Sequence, residues 1–471
     1  MKVKINDILF KFYISLFIFC MINREFLLFG LDLRFILLPL GFFLIFINII
    51  INRGKIIIKK DENFKKYKYL IIFYIWIFIS NVSWLWNGIE INQTKFINEN
   101  ILLINIFISA VVIILYKEKI TMSYINKNIV FSTLILVFSM ILVSLGFDAK
   151  SISASTDVSL IYKSGEEVTH TNLFGWNFRP AGYASDPNYA TLLLFIASVS
   201  TLKLNASKLK KIILLIPFII GICMAFSKTV IIAGLFAIIY ILFAKYIIKN
   251  KRKIYILSGV LLISMILISL ISPFIPILRE ILPNTLTIRL VMWEDAVRLF
   301  AQSPIIGNGI TSFRSFFAIE HWFVQTHNTY LQILSETGIV GIILFYLLMI
   351  NTLKNSLKDS KNFFITIVFI IFMLDFETIA LQFIMYIIVL SQIESIDCKK
   401  KKKKALFMIN SLKNGGAERV CINMANELVK RDYEVHFILF DANSNTNNMY
   451  EFNSKIKILN LNINTNNKKK K

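Results

Sequence analysis

The chain has 471 residues, 56% of them hydrophobic, and carries 52 Lys and Arg against 29 Asp and Glu for a net charge of +23. Repeated apolar runs, long enough to cross about 30 Å of hydrocarbon, exclude a water-soluble enzyme and mark a polytopic helical membrane protein. The positive charge sits in lysines flanking those runs, where anionic membrane lipids are the expected partner, so no nucleic-acid partner is expected.

Hydropathy predicts an all-α fold of about twelve transmembrane helices over residues 1–396, centred on 8–21, 35–51, 69–86, 98–116, 129–146, 188–202, 212–226, 229–244, 254–273, 337–353, 362–376 and 378–393. The first run follows basic residues 1–7, but no small-x-small cleavage site comes after Cys20, so this span is expected to stay. The stretch 362–393 is split because Asp375 and Glu377 in mid-bilayer would cost about 2.5–3.5 kcal/mol each. Lysine is concentrated in alternate loops, including 53–68, 203–211, 245–253 and 354–361, which places both termini in the cytoplasm. Arginine behaves differently. The inner loops use Arg53 and Arg252 alone, while Arg24, Arg34, Arg179, Arg279, Arg289, Arg298 and Arg314 fall in the outer ones. A planar, permanently charged fork suits bidentate binding of phosphate, and snorkelling at helix ends is the competing explanation for Arg24, Arg34 and Arg279. Cys20 and Cys223 lie in spans and Cys398 and Cys421 on the cytoplasmic side, so neither large outer loop is expected to hold a disulfide.

Two outer loops are large. The first, 147–187, ends in RPAGYASDPNYA, where Asp186 has the position of a helix N-cap and Pro187 that of the first helical residue. Arg179 stands at the lip of that span with no carboxylate within four residues of sequence. The second, 274–336, contains Leu286, Leu290, Trp293, Val297 and Phe300 at helical spacing, an amphipathic helix whose apolar stripe should lie on the bilayer or the bundle. Glu294 and Asp295 account for Arg298, whereas Arg289 has no such neighbour in sequence and is read as a ligand clamp. Gly307 and Gly309 in SPIIGNGITSF mark a turn, and Gly338 and Gly341 allow a neighbouring helix to approach. His327, just before the tenth span, is either an interfacial histidine bound to a carbonyl or a general base; His321 has only aromatic company. No metal-ligand motif is present, so arginines rather than a metal are expected to neutralise phosphate, and no cofactor is expected.

Residues 129–353 resemble the O-antigen ligase and O-antigen polymerase superfamily through RPAGYASDPNYA, SKTVIIAG, RLVMWEDAVRLFAQSPIIGNGITSF and THNTYLQILSETGIVG. The resemblance implies a GT-C-like, metal-independent glycosyltransferase in the bacterial cytoplasmic membrane, active on its outer face. Its donor would be an undecaprenyl-pyrophosphate-linked oligosaccharide, and its acceptor a glycan or a lipid A core. It further implies that Arg179 and Arg289 grip the pyrophosphate and that His327 activates the acceptor hydroxyl; Arg314 and Lys228 are read as further pyrophosphate contacts. Lys228 stands where relatives often carry arginine, which keeps the charge and loses the fork. Polymerase is slightly favoured over ligase. A flippase for the same lipid-linked glycan is the alternative of another class, and it would call for internal repeats and ionisable residues near the midplane.

After the basic linker 397–404, residues 405–471 read as strand, glycine-containing loop, amphipathic helix and strand, a short α/β Rossmann-like piece. This resembles the opening of a GT-B glycosyltransferase, with Gly415, Gly416 and Glu418 at the acceptor loop. A fragment of this size cannot bury a stable core, so no catalysis is assigned to it, and the lysine run is expected to mark a fusion of two neighbouring reading frames.

Overall fold

The computed structural model describes residues 2–28, 31–52, 62–88, 93–116, 121–145, 179–184, 186–247, 251–282, 284–317, 326–357, 359–375, 404–409, 415–431, 433–440, 453 and 456–461. Most of the first outer loop, His321, the span expected at 378–393 and most of the basic linker lie outside them. The chain divides into two units, Met1–Ile396 and Asp397–Lys471.

The first unit is helical. It runs through α1 (Lys2–Ile22), a short hairpin of β1 (Leu27–Leu28) and β2 (Leu31–Asp32), α2 (Arg34–Ile51), α3 (Glu62–Ser80), α4 (Gln93–Tyr116) and α5 (Met122–Ser144). It continues through α6 (Pro187–Lys203), α7 (Lys208–Ala225), α8 (Lys228–Ile247), α9 (Lys251–Ile271), α10 (Pro276–Ile281), α11 (Asn284–Gln302), α12 (Ser312–Phe317), α13 (Thr329–Ser356) and α14 (Ser360–Phe372). Helices occupy eleven of the twelve stretches expected to span. Six helical stretches among the described residues are long and apolar enough to cross a membrane: Arg34–Ile51, Lys68–Leu85, Phe96–Tyr116, Met122–Ser144, Arg252–Phe274 and Thr329–Ser356. Val230–Phe243 and Lys361–Phe372 are shorter apolar helices.

Burial separates two kinds of apolar surface. Phe10, Tyr13, Phe17, Phe73, Tyr74 and Phe345 are fully buried in one continuous core. By contrast Ile232, Leu235, Ile239 and Leu242 on α8, and Ile256, Val260, Ile263 and Leu267 on α9, are exposed at helical spacing, as expected of faces solvated by lipid. The helix ends also differ in charge. Lys203 at the end of α6 lies 3.3 Å from Asp359 before α14, and Lys211 and Lys361 both donate to the Leu202 carbonyl, at 3.1 and 3.0 Å. The opposite end of α6 meets the C-terminus of α1, where the Tyr189 hydroxyl donates to the Met21 carbonyl (2.9 Å) and the Glu25 amide to the Tyr183 carbonyl (3.0 Å).

Two local devices shape this second end. Asp186 caps α6 by accepting from the amides of Asn188 (2.8 Å) and Tyr189 (2.9 Å), with Pro187 opening the helix as its sequence position predicts. α13, capped by Asn328, is broken inside at Gly338 (φ 70°, ψ −172°). Such a break frees carbonyls that must find donors. The Asn308 and Gly309 amides donate to the Ser335 and Glu336 carbonyls (3.0 and 2.9 Å), and the Trp76 indole donates to the Thr337 carbonyl (2.8 Å). The expectation that Gly338 admits a neighbouring helix is therefore corrected: it admits the turn before α12, and a Cβ there would overlap the Ile305 carbonyl oxygen. Gly341 does face a helix, through Trp76 of α3.

α11 forms as its periodicity predicts, but its buried line is Leu290, Met292, Ala296 and Leu299, with Trp293, Val297 and Phe300 partly covered and Leu286 exposed. It packs on α13 within the protein.

In the second unit, β3 (Lys404–Ile409), α15 (Gly416–Lys430), β4 (Glu434–Leu439) and β5 (Lys457–Asn460) form a parallel three-stranded sheet in the order β3-β4-β5 with one helix. Ile422, Ala425, Val435 and Phe437 make its small core.

Candidate active site

Arg179 lies just ahead of a short 3-10 turn, Gly182–Ala184, that leads into α6. Its Nε donates to the Ala225 carbonyl at the end of α7 (2.7 Å), and its Nη2 to the side-chain oxygen of Asn188 (2.8 Å). The fork is thus held between the start of one helix and the end of another. Lys228 is exposed and opens α8 three residues after Ala225, so it stands at the same junction.

Arg289, partly buried on α11, is within electrostatic range of both Asp186 and His327. Asp186 lies far from Arg289 in sequence, so the absence of a carboxylate beside Arg289 along the chain gives no sign of this interaction. Burial pushes the Asp186 carboxyl above the usual carboxylate range, while the Asn188 and Tyr189 amides and the charges of Arg179 and Arg289 pull it down. From sequence Asp186 is a helix cap alone; its electrostatic interaction with two arginines is additional. His327 is held down at about 4 by burial and, secondarily, by the positive charge of Arg289. Its imidazole is therefore neutral at neutral pH and has a lone pair available to take a proton.

The backbone is strained beside two of these groups and once more before α12. Phe226 (φ 36°), Thr311 (φ 68°) and His327 (φ 47°) are the non-glycine residues with positive φ among those described. Phe226 follows the carbonyl that Arg179 binds, His327 precedes the cap of α13, and the Thr311 amide donates to the Glu336 carboxyl group (3.0 Å). Left-handed backbone at such residues costs about 1–3 kcal/mol each and persists where surrounding contacts enforce it, commonly at functional sites.

Arg314 goes elsewhere. It lines a separate cavity with Arg24 and Arg34, so the structure does not group it with Arg179, Arg289, His327 and Lys228. Three other outer arginines have identifiable partners: Arg34 is bound to Asp32 through Nε at 2.9 and 2.8 Å, and Arg279 and Arg298 both reach Glu294. Snorkelling is not needed to explain Arg34 or Arg279. Sequence reasoning misses the buried carboxyl group of Glu336, which accepts from the Thr311 amide and from the Gln332 side chain (3.1 Å). Its one signal in the sequence is a Glu at the edge of an apolar stretch.

No group of three or more metal-binding side chains occurs among the described residues. What the arrangement offers is two arginines and a lysine to balance developing negative charge, together with a neutral imidazole.

No curated protein matches the chain. Residues 213–346, from α7 into the second half of α13, match the family model described as O-antigen ligase, a stretch that contains Lys228, Arg289, Arg314 and His327. Together with the apolar helices, this match supports the O-antigen ligase superfamily and a bacterial membrane protein with a glycan-processing function of the O-antigen ligase or polymerase type.

Proposed function

We propose that the protein is an integral-membrane glycosyltransferase of cell-surface polysaccharide assembly, which moves a glycan from undecaprenyl pyrophosphate to an acceptor hydroxyl on the outer face of the membrane. The observation that carries this reading is the placement of Arg289 near both Asp186 and His327, with Arg179 at the same helix end. In the reaction, His327 takes the acceptor hydroxyl proton as the oxygen attacks the anomeric carbon. The bond from that carbon to the diphosphate oxygen breaks, and its electron pair leaves with the diphosphate. Arg179 and Arg289 meet that charge with forked donors, and Lys228 adds a point charge. No residue is required to protonate the leaving group, since a diphosphate departs as an anion.

The acceptor decides between polymerase, which we favour, and ligase, which the description of the matched family favours. Purified protein is incubated with lipid-linked oligosaccharide, alone and with lipid A core, and the products are sized. Longer chains identify a polymerase and transfer to the core a ligase; movement across the bilayer without new glycosidic bonds would instead make it a flippase and defeat the proposal. Arg289→Ala and His327→Ala are each expected to abolish product while leaving membrane insertion intact.

A further inference from the structure

A cavity of ≈ 200 Å³ lies between the end of α1, the start of α2, α4 and α12, and none of Arg179, Arg289 or His327 lines it. Arg24, Arg34 and Arg314 do, with Asn98, Glu99 and Phe35. Each arginine contributes a buried guanidinium nitrogen that has no hydrogen-bond partner among the described residues: Nε of Arg24, Nη1 of Arg34 and Nε of Arg314. An unsatisfied buried donor is costly, the more so when it is charged, so three at one cavity need an explanation. Arg34 is already neutralised by Asp32. Arg24 is not comparably held, since its contacts to Glu25 and Glu99 are both 3.9 Å, beyond hydrogen-bond reach.

We propose that this cavity is a subsite for a saccharide unit bearing one carboxylate, a hexuronate within the glycan that the protein handles. The carboxylate would sit between Arg24 and Arg314 and accept charge-assisted hydrogen bonds from their guanidinium groups. Glu99 and the Asn98 side chain would serve ring hydroxyls, one as acceptor and one as both donor and acceptor, and Phe35 offers an apolar face to the ring. Asp32 and Glu99 in the lining count against a phosphate dianion, which both would repel more strongly than a singly charged carboxylate. The volume is below the range of about 300–1,000 Å³ typical of sites for drug-sized ligands, and suits one sugar unit rather than a long segment.

This inference rests on the glycan-handling reading above, yet its test needs no transfer. Full-length protein in nanodiscs made of zwitterionic lipid is titrated with trigalacturonate, with maltotriose as the neutral control, and binding is read by calorimetry. Trigalacturonate should bind at least about tenfold more tightly than maltotriose. Arg314→Ala and Arg24→Ala should each weaken it about tenfold or more, and Arg314→Lys should restore part of the loss. Glu99→Gln should tighten binding severalfold, because a like charge is removed; this gain cannot come from a misfolded variant. Arg298→Ala, which removes an exposed arginine paired with Glu294, should leave binding unchanged, so the losses are not an effect of overall charge. The proposal is overturned by no trigalacturonate binding, by equal binding of maltotriose, by equal displacement with inorganic phosphate or phosphatidylglycerol, or by weaker binding in Glu99→Gln.

Discussion

His327 is poorly basic in the free protein for a reason that the donor itself would remove. Burial is the larger cause of its low value of about 4 and the charge of Arg289 the smaller. A diphosphate bound to Arg289 would cancel the second cause and reverse the local field, so the pKa should rise toward the ordinary 6.5 as the donor binds. Since kcat/KM reports the free enzyme and kcat the complex, the acid limb of kcat/KM should lie near pH 4 and that of kcat at higher pH. Protonation silences the base, so activity is lost as pH falls through each limb. His327→Gln should lose both limbs along with about 10²–10⁴ of the rate. Profiles of initial rate against pH at limiting and at saturating donor check this, and coincident limbs would mean that the donor does not bind against Arg289.

Asp186 allows cap and charge to be separated at one position. Asp186→Ala removes the acceptor for two α6 amides and should cost about 1 kcal/mol, seen as a lower melting temperature in detergent. Asp186→Asn keeps a good cap and should melt like the parent. Both variants remove the internal counter-ion of Arg179 and Arg289, so both should bind the lipid diphosphate more tightly. If donor KM is unaltered in both, Asp186 is a cap and nothing more.

At the level of elements, the break in α13 and the turn that fills it form one device. Gly307 (φ 85°) approaches the broken turn of α13 so closely that a Cβ would overlap the Glu336 backbone. Gly307→Ala combines a disfavoured φ with that overlap, so it should destabilise by more than about 1 kcal/mol and lower the melting temperature sharply. Gly88→Ala is the control: it also has positive φ (66°) but nothing within 4 Å, so it should show the conformational cost alone. Equal losses would show that the turn does not hold the break.

The same elements separate what is local in the sequence from what is not. The Asp186-Pro187 start of α6 and the amphipathic run of α11 are legible because capping and periodicity are local properties. The break at Gly338 is not, because hydropathy runs through it without interruption and the donors that stabilise it come from a separate turn and from α3. The scarcity of arginine draws attention to Arg179 and Arg289, but composition has no register. It offers no way to tell that Asp186 neighbours Arg289, or that Arg314 joins Arg24 and Arg34 from a distant part of the sequence.

For the whole molecule, the described residues place Lys203, Lys211 and Lys361 around the C-terminal end of α6 and Arg179 at its N-terminal end. The contacts of Lys203, Lys211 and Lys361 mark the first end, and those of Arg179 with Asn188 and Ala225 mark the second. Lysine-rich loops are retained in the cytoplasm, so the arginine end should face outward and meet lipid-linked glycan there. Cysteine labelling tests this directly. After the four native cysteines are changed to serine, one new cysteine is placed at Lys208, which opens α7, or at Ser303, after α11. In intact cells a membrane-impermeant maleimide should label Ser303→Cys at once and Lys208→Cys only after the membrane is opened. The opposite pattern would put Arg179, Arg289 and His327 in the cytoplasm, where the proposed outer-face transfer could not occur.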